Sequence, residues 1–364
     1  MRNLLKVLCL TAVVFLFGSA PAFAQQGPEQ PDITLDAATR SAVIEGLIKR
    51  VNENYVFPEV AKKMEQAIRE RAQKKEYDNV TSSKQFAQKL TADLQEVSRD
   101  KHLRVRYSHE AIPAEGGQRG PTPEERVRFN NFLKKINFGF EKVERLKGNV
   151  GYIDLRGFTP AEFSAETIVA AMNFVANTDA LIFDLRQNGG GDPATVALLS
   201  SYLFDSEPVH LNDLYWREGD STHQWWTLPY VPGKRYAGKD VYVLTSKRTF
   251  SAAEEFTYNL KNLKRATIVG ETTGGGAHPG GVRRINEHFQ IFVPSGRAIN
   301  PISKTNWEGT GVKPDIEVPA AQSLRTAHLA AVKKLLEKAT DQEIIDQLKR
   351  VIGELEKETT EAKN

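Results

Sequence analysis

The sequence predicts an α/β protein in which a mostly parallel sheet follows a small helical domain. Three observations lead to that class. Between residues 36 and 99 the apolar side chains recur at helical spacing. From Val150 onward, short apolar runs alternate with amphipathic segments, the order that produces right-handed crossovers between parallel strands. Between the two patterns, Ala111 to Pro123 is rich in Gly and Pro and reads as a linker.

The chain of 364 residues opens with Arg2 and Lys6, an apolar run from Val7 to Phe17, and Ala22-Phe23-Ala24. That is the pattern of a cleaved signal peptide, assigned to residues 1–24. The run is too short to cross a bilayer of about 30 Å as a helix. Cys9 lies inside it rather than at its end, which argues against a lipid-bearing cysteine. Cleavage removes two basic residues and the single cysteine, leaving 47 Lys+Arg against 46 Asp+Glu. So balanced a charge gives no reason to expect a nucleic-acid partner or attraction to anionic lipid. A mature chain without cysteine has no disulfide, so its packed core must hold it together. No later run approaches membrane-spanning length, so stable membrane insertion is not expected. The expectation is a soluble exported protein, periplasmic or extracellular.

Residues 25–35 read as a flexible leader and 36–110 as the helical domain. Val43, Leu47, Ile48 and Val51 share one helix face; Val60, Met64, Ala67 and Ile68 share another. Thr81 or Ser82 caps a third helix through Phe86, Leu90 and Leu94. His102 to Tyr107 alternates, with Leu103, Val105 and Tyr107 facing one way. The linker is bounded at 111–124 and the core at 125–322. In the core, strands are expected at 150–155, 180–185, 241–245, 266–269 and 289–293, with helices at 165–175, 193–204 and 252–263. Residues 323–364 form a charged helical tail packed on the outside.

Ser251 is the sharpest chemical signal. It follows a buried strand and a short turn, and it opens a helix. A serine there is commonly only an N-cap. The same placement aims free N–H groups and a positive dipole end at developing negative charge. Ala252 and Ala253 keep bulk away from the hydroxyl. A second signal is Asp184-Leu-Arg-Gln-Asn-Gly-Gly-Gly-Asp192, a strand-to-helix turn whose glycines can direct N–H groups at a ligand oxygen. It lacks the GxGxxG and Gly-Lys-Ser/Thr patterns of phosphate loops. The seven histidines show no metal-ligand spacing, so neither metal nor cofactor is expected.

These residues carry a family resemblance. Asp-Leu-Arg-x-Asn-x-Gly-Gly and Thr-Phe-Ser-Ala-Ala-Glu resemble motifs of the tail-specific, or C-terminal-processing, serine peptidases. Gly270-Glu-Thr-Thr-Gly-Gly-Gly276 and Gly311-Val-Lys-Pro-Asp-Ile-Glu317 continue the order. Asn54-Tyr-Val-Phe-Pro58 and Asp100-Lys-His-Leu103 resemble the interphotoreceptor retinoid-binding-protein branch. The likeness spans roughly residues 36–320 and implies a crotonase-like spiral core with Ser251 as nucleophile. The lysine that many members carry downstream of the serine is absent from Gly274-Gly-Gly-Ala-His278. The forty or so residues between Tyr107 and Val150 leave no room for a PDZ domain.

Both absences point to the tricorn-like branch. There the resemblance implies a histidine base, here His102, and a glutamate partner, here Glu308. His278 and His109 are rival bases. A histidine base would put the rising limb of activity at about pH 6–7.5. The motif maps oxyanion donors to Ala252 and Gly190, with Gly191 as the fallback. Glu254 and Glu255 read as complements to a helix dipole. Tyr215-Trp216 and Trp225-Trp226, in a polar, loop-like segment, either line a groove or pack the loop. The expected activity is peptide-bond hydrolysis through an acyl-enzyme, on a peptide or protein substrate. The alternatives are a non-catalytic module for hydrophobic ligands such as retinoids or lipids, and a thioester enzyme of the crotonase type.

Overall fold

The computed structural model describes residues 30–113 and 122–361; the signal-peptide segment and residues 25–29 of the leader lie outside them. Helices α1 (Ala37–Asn54), α2 (Pro58–Gln73) and α3 (Ser83–Ser98) form the expected bundle. Asp36 and Ser82 cap α1 and α3 by accepting from the Thr39 and Gln85 N–H groups, and Pro58 opens α2. The end of the leader is tied down. Leu35 is buried and donates to Thr81, and Thr34 bridges to Ser82.

Strand β1 (Arg104–Tyr107) leaves the bundle, and α4 (Pro123–Lys135) follows. Then come β2 (Phe140–Leu146), β3 (Val150–Leu155), α5 (Ala161–Val175), β4 (Ala180–Asp184) and α6 (Pro193–Ser201). Next are β5 (His210–Trp216), β6 (Ser221–Trp226), β7 (Asp240–Thr245), α7 (Ala252–Asn262) and β8 (Thr267–Gly270). Strands β9 (Gly280–Arg284), β10 (Phe289–Pro294), β11 (Gly296–Ile299) and β12 (Ile316–Glu317) precede α8 (Ala320–Lys338) and α9 (Gln342–Glu361).

The main sheet runs β12-β8-β7-β4-β3-β2, parallel except for the β2 edge. Its middle strand β4 is buried along its whole length, as an apolar Ala-Leu-Ile-Phe run between two covered faces requires. Helices α5, α6 and α7 cover one face through Ile168, Val196 and Phe256. The two tail helices cover the other, where Ala331, Val332 and Leu348 pack on Val150, Ile182 and Tyr242. The tail thus completes the core rather than merely resting on it.

Two expectations need correction. The 289–293 segment does not join the main sheet; β10 pairs antiparallel with β1 and β9, placing Phe289, Ile291 and Val293 in the helical bundle's core. Residues 215–226 are no loop. They belong to the β5–β6 hairpin, and β11 extends that hairpin into a three-stranded sheet. Helix α4 and strand β2 had not been foreseen; β2 is held by backbone pairing with β3 more than by an apolar pattern.

Candidate active site

The carboxyl ends of β4 and β7 face a cavity of about 590 Å³, closed from the other side by β1, β10 and the β5 sheet. Ser251 sits on its wall at the β7–α7 turn. Its φ of 57° and ψ of −123° lie where a residue with a Cβ is strained, as at the sharp strand-to-helix turns that expose nucleophiles. Glu254 supplies only the reciprocal half of a capping box, its carboxylate taking the Ser251 N–H at 2.9 Å. The hydroxyl itself makes no side-chain cap bond and is left to the cavity.

What holds this turn is a dense set of hydrogen bonds. The fully buried Glu254 also accepts from the Thr273 hydroxyl at 2.5 Å and the Gly275 and Gly276 amides at 2.6 and 2.9 Å. Burial pushes its carboxyl up while these donors hold it down, and the net shift is upward. Glu254 therefore clamps the serine turn to the 273–276 loop, a larger task than complementing a dipole. Asn188 ties the other side: its carbonyl accepts from Phe250, its amide donates to Leu155, and its Oδ1 accepts from Gly190.

That last bond matters for the oxyanion donors. The Gly190 N–H is already engaged at 2.8 Å, and Gly190 packs so closely that a Cβ there would stand 2.7 Å from the Ser251 Cβ. The Gly191 and Ala252 amides have no hydrogen-bond partner among the described residues, and both line the cavity beside the serine. Gly191 holds φ of +146° with the Phe158 carbonyl against its α-carbon, so only glycine fits. The fallback position thus has the free donor. Elsewhere the glycine motif is structural. Asp184 accepts from Arg186 and from the Tyr152 hydroxyl, and Asp192 caps α6 through the Ala194 and Thr195 amides.

His102 enters the same cavity from the start of β1. Its ring lies 4.6 Å from that of Phe250, the residue before the serine, and its Cε1 abuts Gly276. It makes no hydrogen bond with Ser251 or Glu308. Its Nδ1 is sealed and unpartnered, 3.9 Å from an Asp100 oxygen. Burial pushes the imidazole down to about 4, so the ring is neutral at ordinary pH.

Glu308 joins a different histidine. His278 Nδ1 lies 2.8 Å from Asp100 and 3.5 Å from Glu308. Asp100 also accepts from the Tyr55 hydroxyl and the His102 N–H. Glu308 accepts from Ala277, and its other oxygen is buried without a partner. Burial, with Asp100 adding to it, pushes Glu308 up to about 7. Asp100, His278 and Glu308 are close enough to hold a metal ion, their ligand atoms lying within 4.8 Å of one another. Tyr55, His278 and the His102 amide already donate to Asp100, and Ala277 to Glu308, so the trio reads as a hydrogen-bonded cluster. His109 stands apart, its ring beside the Tyr107 hydroxyl and outside the cavity.

The structure therefore brings Ser251, His102, Ala252 and Gly191 to one cavity and places Glu308 one residue layer behind, with His278. Sequence reasoning gave no role to Asp100, which was visible two residues before His102, nor to the clamp by Glu254, visible three residues after the serine. Of the aromatic pairs, Trp216 lines the cavity, Trp225 packs inward, and Trp226 stacks on His210 at 4.3 Å.

The chain is similar to known proteins in sequence and in fold. Residues 149–318 match peptidase family S41, and residues 33–138 match the N-terminal domain of that family's peptidases in eukaryotic interphotoreceptor retinoid-binding protein. The chain is 28% identical over 193 residues to the tail-specific protease of Haemophilus influenzae, covering 50% of this chain and 25% of that protein. It is 27% identical over 177 residues to the chloroplastic carboxyl-terminal-processing peptidase 2 of Arabidopsis thaliana, covering 47% and 32%. The chain thus spans a third or less of these relatives. A solved lipoprotein of Streptococcus agalactiae shares the fold at 15% identity and a TM-score of 0.52, covering 83% of this chain and 99% of that one. A solved chain from Parabacteroides merdae does so at 18% and 0.54, with the same coverage.

Proposed function

From the premise that this chain belongs to peptidase family S41, we propose that it is a serine peptidase acting through an acyl-enzyme on Ser251. The observation that carries this reading is the uncapped Ser251 hydroxyl on a strained turn, with the Gly191 and Ala252 amides beside it. Ser251 Oγ attacks the scissile carbonyl and His102 takes its proton. The two amides stabilise the tetrahedral oxyanion, and its collapse returns the proton to the leaving amine. Water then releases the acyl group by the same steps.

Catalytic hydrogen bonds are often long before substrate binds. The sealed His102 Nδ1 and the free Glu308 oxygen are a donor and an acceptor that each gain by meeting, directly or through a water. Glu308, backed by Asp100 and His278, would then fix the tautomer of His102. The signal-peptide pattern supports export, and no helix among the described residues is long and apolar enough to cross a membrane. Amino-terminal sequencing of the exported protein should begin at Gln25.

The decisive experiment is labelling with a fluorophosphonate, followed by mapping of the modified residue. Modification at Ser251, absent in Ser251→Ala, is the expected result. An unlabelled, well-folded protein that binds apolar ligands would favour the binding-module reading instead. The apolar cavity walls at Leu214, Trp216 and Trp307 keep that reading in play.

A further inference from the structure

Glu255 is a carboxylic acid for which the chemistry above has no use. It follows Ser251 by four residues on α7, so the two share one helix face a single turn apart. Side chains on a helix lean toward its N-terminus, which tilts Glu255 back toward the serine. It lines the same cavity yet is only 4% exposed. Its Oε1 is sealed from solvent and has no hydrogen-bond partner.

The surroundings are lopsided. Asn212 of β5 is its polar neighbour, close enough for its amide to favour the ionised carboxyl, although neither side-chain atom of that buried asparagine makes a well-formed hydrogen bond. The one charged group acting on it is Asp192, another acid. Burial pushes the carboxyl up to about 8; the Asn212 amide holds it back in part, and the neighbouring Asp192 adds a smaller push upward. A buried acid with no cation near it is an expensive arrangement unless something brings the cation. The cavity wall carries the apolar Leu214, Trp216, Ala298 and Trp307, while Lys101, Arg104 and Arg106 line the same cavity without acting on Glu255.

An apolar wall leading to an acid with an unpartnered Oε1, beside a buried asparagine amide, matches one kind of side chain. It must have a long aliphatic stem and a cationic tip. We propose that Glu255, with Asn212, forms the floor of a subsite that selects lysine or arginine at the substrate residue whose carbonyl Ser251 attacks. This assignment rests on the serine-peptidase reading. Entry of the cation would supply Glu255 with its missing partner and favour its ionised form.

The test is a set of peptides identical except at that residue, carrying Lys, Arg, norleucine, Gln or Glu. Wild-type kcat/KM for Lys and Arg should exceed that for norleucine by at least about 30-fold, the lower end for removing one partner of a buried charge pair. In Glu255→Gln the Lys-to-norleucine ratio should fall to within about threefold, and Glu255→Met should favour norleucine. Fluorophosphonate labelling of Ser251 in each variant reports that the site is still assembled. The wild-type profile stands by itself if the variants fail to fold. A flat wild-type profile, or a preference for norleucine or Gln, overturns the subsite while leaving the peptidase intact. Failure of every peptide, with Ser251 unlabelled, removes the peptidase reading and the subsite with it.

Discussion

The serine turn and the histidine cluster face each other across one cavity but are finished to different degrees. Around Ser251 nearly every polar group has its partner. Glu254 alone accepts four hydrogen bonds, and Asn188 binds the glycine loop to the same turn. The hydroxyl and the two cavity-facing amides are left open. Around His102 the open groups lie in the supporting layer. The imidazole Nδ1 and one Glu308 oxygen are buried without partners, and the Asp100–His278 pair sits between. On the proposed reading, the nucleophile half is pre-organised, whereas the acid–base half would close on a substrate.

The largest expected effect comes from breaking the finished half. Ser251→Ala should lower peptide hydrolysis by about 10⁴-fold or more, because triad chemistry collapses when its nucleophile is lost. Circular dichroism should be unchanged, since the hydroxyl makes no cap bond. Retained hydrolysis by the purified variant would place the nucleophile elsewhere.

His102→Ala and His278→Ala sharpen the other half. The first should cut kcat by about 10³-fold or more with little change in stability, as removal of a base would. The second should also destabilise, because Asp100 would lose its 2.8 Å partner in a buried site. Activity should show two acid limbs. His102 must be neutral, and its ring is pushed down to about 4. Glu308, pushed up to about 7, must be ionised to receive the Nδ1–H. The upper limb near 7 should vanish in Glu308→Gln while the lower one persists. The sequence-based expectation of a limb at 6–7.5 thus acquires a different owner. A profile already at its maximum at pH 5.5 would remove Glu308 from the role.

Glu254→Ala probes why the first half is so rigid. It strands the Ser251, Gly275 and Gly276 amides and the Thr273 hydroxyl in the interior, so about 3 kcal/mol or more of stability should be lost. Denaturant midpoints at constant m would measure it.

The two halves also differed in how far the sequence disclosed them. Ser251 was legible because a strand, a turn and a helix start are local events, and their periodicities survive in the chain. The helices, the alternating strands and the Gly-Gly-Gly turn were legible for the same reason. The pairing of β10 with β1 was not, since nothing in an isolated apolar run states which partner it will take. The cluster of Asp100, His278 and Glu308 joins residues up to 208 positions apart, so no spacing rule reveals it. Glu254 was visible but ambiguous. A carboxylate in a first helical turn looks the same whether it faces water or four donors.

The smallest expected effect concerns Glu255, and it compares wild type with Glu255→Gln by stability rather than activity. Its folded-state carboxyl is pushed up to about 8 from an ordinary 4.5. Below pH 4.5 both the folded and unfolded forms hold the proton, so its contribution to stability is fully present. Between 4.5 and 8 the unfolded chain releases the proton while the folded one retains it, and stability falls as pH rises. Glutamine has no proton to lose. The two proteins should therefore unfold at similar denaturant concentrations at pH 4, with the variant gaining on the wild type up to about pH 8. Above that the gap should level off. A cationic ligand in the cavity should narrow the gap, because it stabilises the ionised folded form that glutamine cannot adopt. A gap independent of pH would mean that Glu255 is already ionised and paired in the folded protein. The lopsided charge around it would then need another cation, supplied from outside the described residues.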